Sequence, residues 1–152
     1  LNVMEHTLVT DDNFYDAISE WKANETSAAA KYGKIRDWNT ATVTRMNGTF
    51  YDWKDFNADI SNWDVSAVTS MKGMFYNAEK FNQNLTVWDV SSNENMAYMF
   101  RNAMIFNQDL RTWKVSAVTD LESMFNGASV FNGNLSGWDV ASTTSTSSMF
   151  SG

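Results

Sequence analysis

The feature that most constrains this chain is a repeat of 25 residues, which runs without insertion from Trp38 onward. Tryptophan, phenylalanine and asparagine each return at this spacing. The recurring aromatic residues are Trp38, Trp63, Trp88, Trp113, Trp138, Phe75, Phe100 and Phe125. A fixed period of about 20 to 50 residues is typical of proteins whose coils stack on one another. The spacing therefore predicts a stack of about five coils.

Composition narrows the classes of function. The chain has 152 residues, a formal net charge of −7, one histidine and no cysteine. The negative charge disfavours nucleic acid as a partner, because binding to phosphates depends on Lys and Arg. The lack of cysteine excludes disulfides and thiolate chemistry. No run of residues is apolar over the roughly 20 positions that a membrane span needs, so membrane insertion is not expected.

The first 34 residues do not follow the repeat. Phe14, Ala17, Ile18 and Trp21 fall on one face of a predicted helix, and a second short helix is predicted to end at Gly33. A stack exposes the apolar face of its first coil, so an atypical segment before the repeats is expected to cover it. The sequence predicts a helical N-terminal cap over residues 1–34 and about five repeats over 35–152, in a single domain overall.

Each repeat has two halves with different hydrophobic periods. Trp63 and Val65 alternate with Asp64, which predicts a short strand with the acid facing outward. The second half places apolar residues on one helical face and predicts a short helix or a turn. The residues of that face are Val68, Met71, Met74, Phe75 and Ala78. The predicted class is α/β, with a parallel strand and a short helix or turn in every coil.

The repeat also resembles a known family. The pattern F-N-x-[DN]-[IL]-x-x-W-D-V-S-x-V-T-x-M-x-x-M-F-x-N-A runs from Phe56 to Ala78 and starts again at Phe81 and Phe106. It resembles the BspA-like repeats of bacterial surface proteins and mycoplasma lipoproteins, which are also found in some algae. The segments TDDNFYDAISEW and KYGKIRDWNT are similar to the segment that often precedes those repeats. The resemblance implies a leucine-rich-repeat-like solenoid, and we predict that it is right-handed.

The resemblance also implies a location and a role. It implies an extracellular or cell-surface protein, after removal of a signal peptide, that has no catalytic residues and no cofactor. The implied function is adhesion or protein binding, with another protein or a surface glycan as partner. Two alternatives stay open: a structural subunit or spacer within a larger assembly, and a carbohydrate-binding module. We expect no enzyme activity, since His6 is the only histidine that could serve as a base.

Two interpretations of the Trp column differ in their consequences. Its strict period, and its alternation with acidic residues, favour burial in the core of the stack. An exposed column would instead provide a stacking platform for sugar rings. The burial of the Trp residues decides between these interpretations.

Polar residues form further columns. Asn57, Asn82, Asn107 and Asn132 are predicted to form an internal amide ladder that satisfies backbone groups of the same or a neighbouring coil, with ligand contact as the alternative. Another column, Asp64, Asp89 and Asp139, is interrupted by Lys114 and is a candidate partner-facing surface. Asp59, Asn84, Asp109 and Asn134 form a similar column. Stacked carboxylates also bind Ca²⁺ in some proteins, but no segment here has the pattern of a calcium loop, and no metal is expected.

The last predicted coil leaves its outer edge uncovered. An open edge presents unpaired N–H and C=O groups and tends to associate. We therefore expect either a longer native chain or association through the C-terminal edge. Thr143 and Thr146, which replace Val and Met of earlier coils, make this edge more polar.

Overall fold

The computed structural model of the chain describes residues 6–152. It contains two α-helices, α1 (Phe14–Ala23) and α2 (Glu25–Tyr32), and one short 3₁₀ helix, Ile35–Asp37. Within the described residues the chain forms no extended strand; after Asp37 it consists of turns joined by short irregular segments. These turns are arranged in coils, and residues 25 apart lie side by side in neighbouring coils.

The coils are connected by a regular set of backbone hydrogen bonds. Isolated parallel bridges join Arg45, Ser70, Asn95, Asp120 and Ser145 in sequence, one residue from each coil. At each interface four N–H groups of the earlier coil donate to carbonyls of the later coil. Between the second and third coils these donors are Met71, Gly73, Phe75 and Asn77, with N to O distances of 2.8 to 3.0 Å. The register of 25 residues is therefore set by the backbone as well as by the side chains.

The same hydrogen bonds explain why the predicted α/β class is wrong. The N–H of Phe75 donates to Met99 in the next coil, whereas the N–H groups on either side close turns within their own coil, Met74 to Met71 and Tyr76 to Gly73. A helix would need all of these N–H groups internally, and a strand would direct none of them into turns. The predicted strand at Trp63 to Val65 is absent. The segment from Val68 to Ala78, predicted as a short helix or a turn, consists of turns.

The leucine-rich-repeat assignment is wrong for the same reason. A leucine-rich-repeat-like solenoid requires a strand in each coil and a parallel sheet across the coils, and the described residues contain only single bridges. Positive backbone φ angles recur where the turns change direction, including Gly48, Gly73, Asn77 and Asn102. Gly and Asn tolerate this conformation, so they keep successive turns possible where an ordinary residue would favour a longer helix.

The core is a set of aromatic columns inside the coils. Trp38, Trp63, Trp88 and Trp113 are no more than 3% exposed. Beside them run two columns of phenylalanine rings. Phe75 stacks on Phe81 of the same repeat at 3.9 Å between ring centroids and on Phe100 of the next coil at 5.4 Å. Rings in parallel, stacked orientation repeat at the same period as the backbone bridges, so packing and hydrogen bonding reinforce one register.

Helices α1 and α2 cover the first coil. Phe14 of α1 lies edge-on to Trp63 with 5.7 Å between ring centroids, and Tyr32 of α2 contacts Trp38 in the same manner at 5.8 Å. The side chain of Asp11 accepts hydrogen bonds from the N–H and the hydroxyl of Thr44. These contacts fall within residues 1–34, for which a cap was predicted. Residues 1–5 of that predicted segment lie outside the described part of the chain.

We predict that Trp88→Ala lowers the free energy of unfolding by more than about 3 kcal/mol, because truncating a buried Trp leaves a cavity that neighbouring coils fill only partly. The same substitution leaves the carbonyl of Ile60 without the indole N–H that donates to it at 3.3 Å. Urea unfolding followed by circular dichroism measures the change. The control is Val87→Ala, at a side chain that is 76% exposed. Equal losses in the two variants would contradict burial of the column.

Candidate functional site

The predicted repeat core lies inside the stack. Phe75 and Phe100 are fully buried, and Phe125 and the first four Trp residues nearly so, while Trp138 is half-buried in the last coil. The indole N–H of Trp38 donates to Gly33 O. In the later repeats it donates to a carbonyl 28 residues earlier; Trp113 donates to Leu85 O at 3.0 Å and Trp138 to Leu110 O at 2.9 Å. The Trp faces that a sugar ring would need are therefore covered by neighbouring coils.

The asparagine column forms hydrogen bonds between coils. The Oδ1 atoms of Asn57, Asn82 and Asn107 each accept the backbone N–H of the next asparagine in the column, at 3.0, 2.9 and 2.8 Å. Gln83 and Gln108 donate to the same oxygens from the side. The ladder is at the surface, since its members are exposed or half-exposed. Its amide oxygens are occupied by neighbouring coils.

The acidic columns are built from small turns. In Asp64 and Asp89 the Oδ1 atom accepts the backbone N–H two residues later, from Ser66 at 3.0 Å and Ser91 at 3.1 Å, and Asp139 does the same with Ala141. Asn84 and Asn134 make the same contact, because an amide oxygen serves as well as a carboxylate. The outward carboxylates are exposed, but one oxygen of each is already used by its own turn.

These turns change the acidity of the side chains. Hydrogen bonds from the hydroxyl and N–H of Ser66 lower the pKa of Asp64, and the corresponding contacts from Ser91 and Ser61 lower the pKa of Asp89 and Asp59. Among the described residues no three acidic, His or Cys side chains are grouped as a metal site would require. The columns thus contribute to the local structure of the coils.

We predict that the stability of the chain falls as the pH drops below about 4, the usual range for a carboxyl group. A lowered pKa stabilises the folded state above the unfolded-state pKa, and this contribution is lost as the pH falls through the folded-state pKa. Asn retains the turn without titrating, so Asp64→Asn/Asp89→Asn should lose less stability between pH 7 and pH 3 than the original chain. Urea unfolding at both pH values measures this.

Asp64→Ala is the matched control, because alanine removes the acceptor oxygen at every pH. It should be less stable than the original chain at pH 7 and show a smaller further loss at pH 3. An Asn variant with the full acid-induced loss of stability would contradict the assignment.

A group of exposed and half-buried aromatic and basic side chains stands out on the coils, and sequence analysis did not identify it. We call Tyr51, Tyr76, Tyr98, Arg101 and Lys72 the tyrosine–arginine face. Tyr51 and Tyr76 stack with 4.7 Å between ring centroids. The Arg101 guanidinium continues this column at 5.7 Å from the centroid of Tyr76. It also lies 5.8 Å from the centroid of Tyr98, and Lys72 Nζ lies 5.6 Å from the same ring.

Tyr98 has an unusual backbone conformation. Its φ is 60°, in the left-handed region, where the equivalent positions of the earlier coils are Gly48 and Gly73. A large side chain in this region costs on the order of 1 kcal/mol or more. Glu122 beside the hydroxyl is the main cause that raises the pKa of Tyr98. Tyr98 thus occupies a position whose positive φ favours glycine, as at Gly48 and Gly73.

Arg101 differs from other basic residues of the described chain. Its Nε atom is buried and has no hydrogen-bond partner. Arg36, Lys54 and Arg111, by contrast, lie within 3.0 Å of carboxylate oxygens of Asp59, Glu79 and Asp109. Among residues 6–152 no carboxylate forms an ion pair with Arg101 or Lys72. The face thus holds two basic groups that form no ion pair and lie near the tyrosine rings.

The sequence does contain a signal for this face. The glycine-type column passes from Gly48 and Gly73 to Tyr98 and then to serine, and a tyrosine column passes from Tyr51 and Tyr76 to Arg101. The 25-residue period does not identify such positions, because the residues that hold the coils together recur at that spacing and these residues do not. A search for departures from the repeat would have found them.

A second surface lies at the last coil. Trp138, Val140 and Phe150 line an open groove there, and Phe150 is 61% exposed. Phe150 stacks on Phe125 at 5.7 Å and continues the phenylalanine column to this edge. The edge is more apolar than the acidic sides of the stack.

Comparison with known proteins identifies a family. The family model described as "Mycoplasma protein of unknown function, DUF285" matches residues 24–130 and, in a second overlapping match, 68–152. The matches agree with the mycoplasma part of the resemblance but do not support BspA-like leucine-rich repeats specifically. No curated protein and no solved structure matches the chain significantly. Across the part of the chain that the structure describes, no helix has the length and apolar character needed to cross a membrane.

Proposed function

This chain belongs to the DUF285 family of Mycoplasma proteins of unknown function, and we propose that it is a non-catalytic binding module displayed at the cell surface. The proposed partner is another protein, and the proposed contact surface is the tyrosine–arginine face. The observation that carries this proposal is the placement of three tyrosines and one arginine on one side of a rigid stack, with Tyr98 held in a left-handed conformation.

The chemistry of the face suits protein binding. Tyr and Arg are enriched among the residues that contribute most to protein interfaces, because each offers a large contact area together with hydrogen-bonding groups. Tyr51 is 50% exposed, so its ring is available to a partner. The side chains rest on coils fixed by backbone hydrogen bonds, so little conformational entropy is lost when a partner binds.

We propose that the tyrosine–arginine face binds a partner and catalyses no reaction. The face contains no nucleophile paired with a base, and the sole histidine, His6, precedes α1. A net charge of −7 makes nucleic acid a poor partner for the chain as a whole.

We predict that Tyr76→Ser/Arg101→Ser weakens binding to immobilised peptides by at least about tenfold, because removing interface anchors of this type costs about 1.4 kcal/mol or more. An array of peptides of varied sequence, probed with the soluble labelled chain, measures this. Val87→Ser is the control, since it truncates an exposed apolar side chain that is not part of the face.

A parallel glycan array distinguishes the carbohydrate alternative. Signals that appear only on glycans and disappear in Tyr76→Ser/Arg101→Ser would replace the protein partner with a sugar. Equal binding of peptides by the original chain and both variants would contradict a role for the face.

The groove at the last coil favours a second candidate function, a structural subunit of a larger assembly. Its aromatic lining and the exposed ring of Phe150 offer a surface on which a further coil or another copy would stack as the coils already do. We predict that the isolated chain self-associates and that Phe150→Ser reduces this, as measured by light scattering over a concentration series. A strictly monomeric original chain would contradict this candidate.

A further inference from the structure

We propose that Arg101 binds a carboxylate of an acidic segment in a protein partner, with the rings of Tyr51 and Tyr76 receiving an apolar side chain next to that carboxylate. The inference rests on the proposed function, because it names the chemistry of the ligand for the same face. It is carried by the joint position of Arg101, Lys72 and three tyrosines.

Unfilled hydrogen-bonding capacity is the first argument. Burial of an N–H without an acceptor costs about 1 to 3 kcal/mol, and more for a charged group. The Nε of Arg101 is buried in this way, and the guanidinium carbon lies 5.7 and 5.8 Å from the ring centroids of Tyr76 and Tyr98. Arginine donates through a planar set of N–H groups that matches the two oxygens of a carboxylate. A partner's carboxylate would meet the terminal Nη groups of this guanidinium, which form no ion pair among the described residues.

The charge distribution is the second argument. Five of the 11 basic residues form ion pairs, and Arg101 and Lys72 are among the six that form none in the described part of the chain. Arg111 is paired with Asp109 within its own coil at 2.6 Å. Both free basic groups of the face lie over the ring of one residue, Tyr98. A partner's carboxylate is the natural complement to this pair of cations.

The neighbouring groups favour a peptide over a polyanion. Glu122 lies close enough to Tyr98 to raise the pKa of its hydroxyl, and Asp120 adds to the effect. Glu122 and Asp120 would repel a sulfated glycan or a phosphate-rich ligand, which carries many negative charges. A peptide segment has only one or two carboxylates and can place them next to Arg101. The stacked rings of Tyr51 and Tyr76 then offer apolar area beside the charge. Mixed acidic and apolar character is a property of peptide segments.

The backbone at Tyr98 is the third argument. Glycine or serine at this position serves the other coils, with φ between 51° and 62°. A tyrosine in the left-handed region lowers stability unless another interaction compensates. Its ring provides one side of the environment around Arg101 and lies near Lys72. We infer that Tyr98 holds these two cations in position for the carboxylate.

The experiment uses the full 152-residue chain labelled with ¹⁵N and two capped peptides, Ac-Leu-Glu-Leu-amide and Ac-Leu-Gln-Leu-amide. The readout is the Nε–Hε resonance of Arg101. We expect the Glu peptide to shift this resonance in a saturable manner and to bind at least about tenfold more tightly than the Gln peptide, because charge-assisted hydrogen bonds are about twice as strong as neutral ones. Equal shifts with both peptides would overturn the proposal.

Variants test which residue carries the effect. Arg101→Gln should lose the preference for the Glu peptide, and Arg101→Lys should retain only part of it because lysine lacks the planar donors. Arg111→Gln removes the same charge elsewhere and should leave the preference unchanged. If Arg111→Gln reduces it as much as Arg101→Gln, net charge and not the site is responsible. Trp fluorescence of each variant verifies that the aromatic core is intact.

Tyr98→Gly separates stability from binding. Glycine accommodates a positive φ, so this variant should unfold at a temperature no lower than the original chain. It should nevertheless bind the Glu peptide more weakly, because Arg101 and Lys72 lose the ring between them. A large fall in melting temperature with unchanged binding would show that Tyr98 is only a packing residue and would contradict its positioning role.

Two further outcomes distinguish the inference from the proposed function. Inorganic phosphate or heparin that displaces the Glu peptide and binds more tightly would make the site a polyanion site and overturn the peptide ligand. Neutral peptides that bind on the array and depend on Tyr76 would leave the binding face in place and remove only the acidic ligand. The two proposals can therefore fail separately.

Discussion

The structure depends on one division of the backbone hydrogen bonds. In residues 71–77 and the equivalent residues of the other coils, alternate N–H groups donate to the next coil. The intervening N–H groups close turns within their own coil. Four bonds of the first kind occur at each of the four interfaces. A further bond at each interface runs from the later coil to the earlier one, for example from the N–H of Thr69 to the carbonyl of Thr44. Neither a helix nor a strand can form under this division. Both kinds of bond give backbone N–H groups a carbonyl partner, as burial in a core requires.

This arrangement makes every coil dependent on its neighbours. A single coil would leave half of these N–H groups without partners and would expose one side of each aromatic ring. Stacking completes both at once, since Phe75 contacts Phe100 at the same interface where its N–H donates to Met99. The columns of Asn and Asp side chains then finish the surface by accepting the backbone N–H groups that the turns leave outward. At the first coil, Phe14 of α1 and Tyr32 of α2 cover the aromatic rings, and Asp11, which precedes α1, accepts the backbone N–H of Thr44.

Sequence reasoning identified the columns but not the conformation between them. The period of 25 placed Trp88 and Phe100, and it placed Asn82 where its side chain contacts the next coil. Hydrophobic periodicity then failed, because Trp63 and Val65 are both buried, as alternate residues of a strand would be, although the chain forms turns here. The spacing of Val68, Met71 and Met74 likewise fits a helix and a series of turns equally well. The deciding factor, the destination of each N–H, is not visible in side-chain patterns.

The candidate binding face was missed for a related reason. A repeat is held by what its coils share, so residues that recur report on packing and on the backbone. Binding to a particular partner requires residues that differ between coils, because a uniform column offers no unique position. Tyr98 and Arg101 satisfy this condition, and Tyr98 does so against the conformational preference of its position. In a chain built of equal coils, the positions that depart from the repeat at a cost in stability are where function is most productively sought.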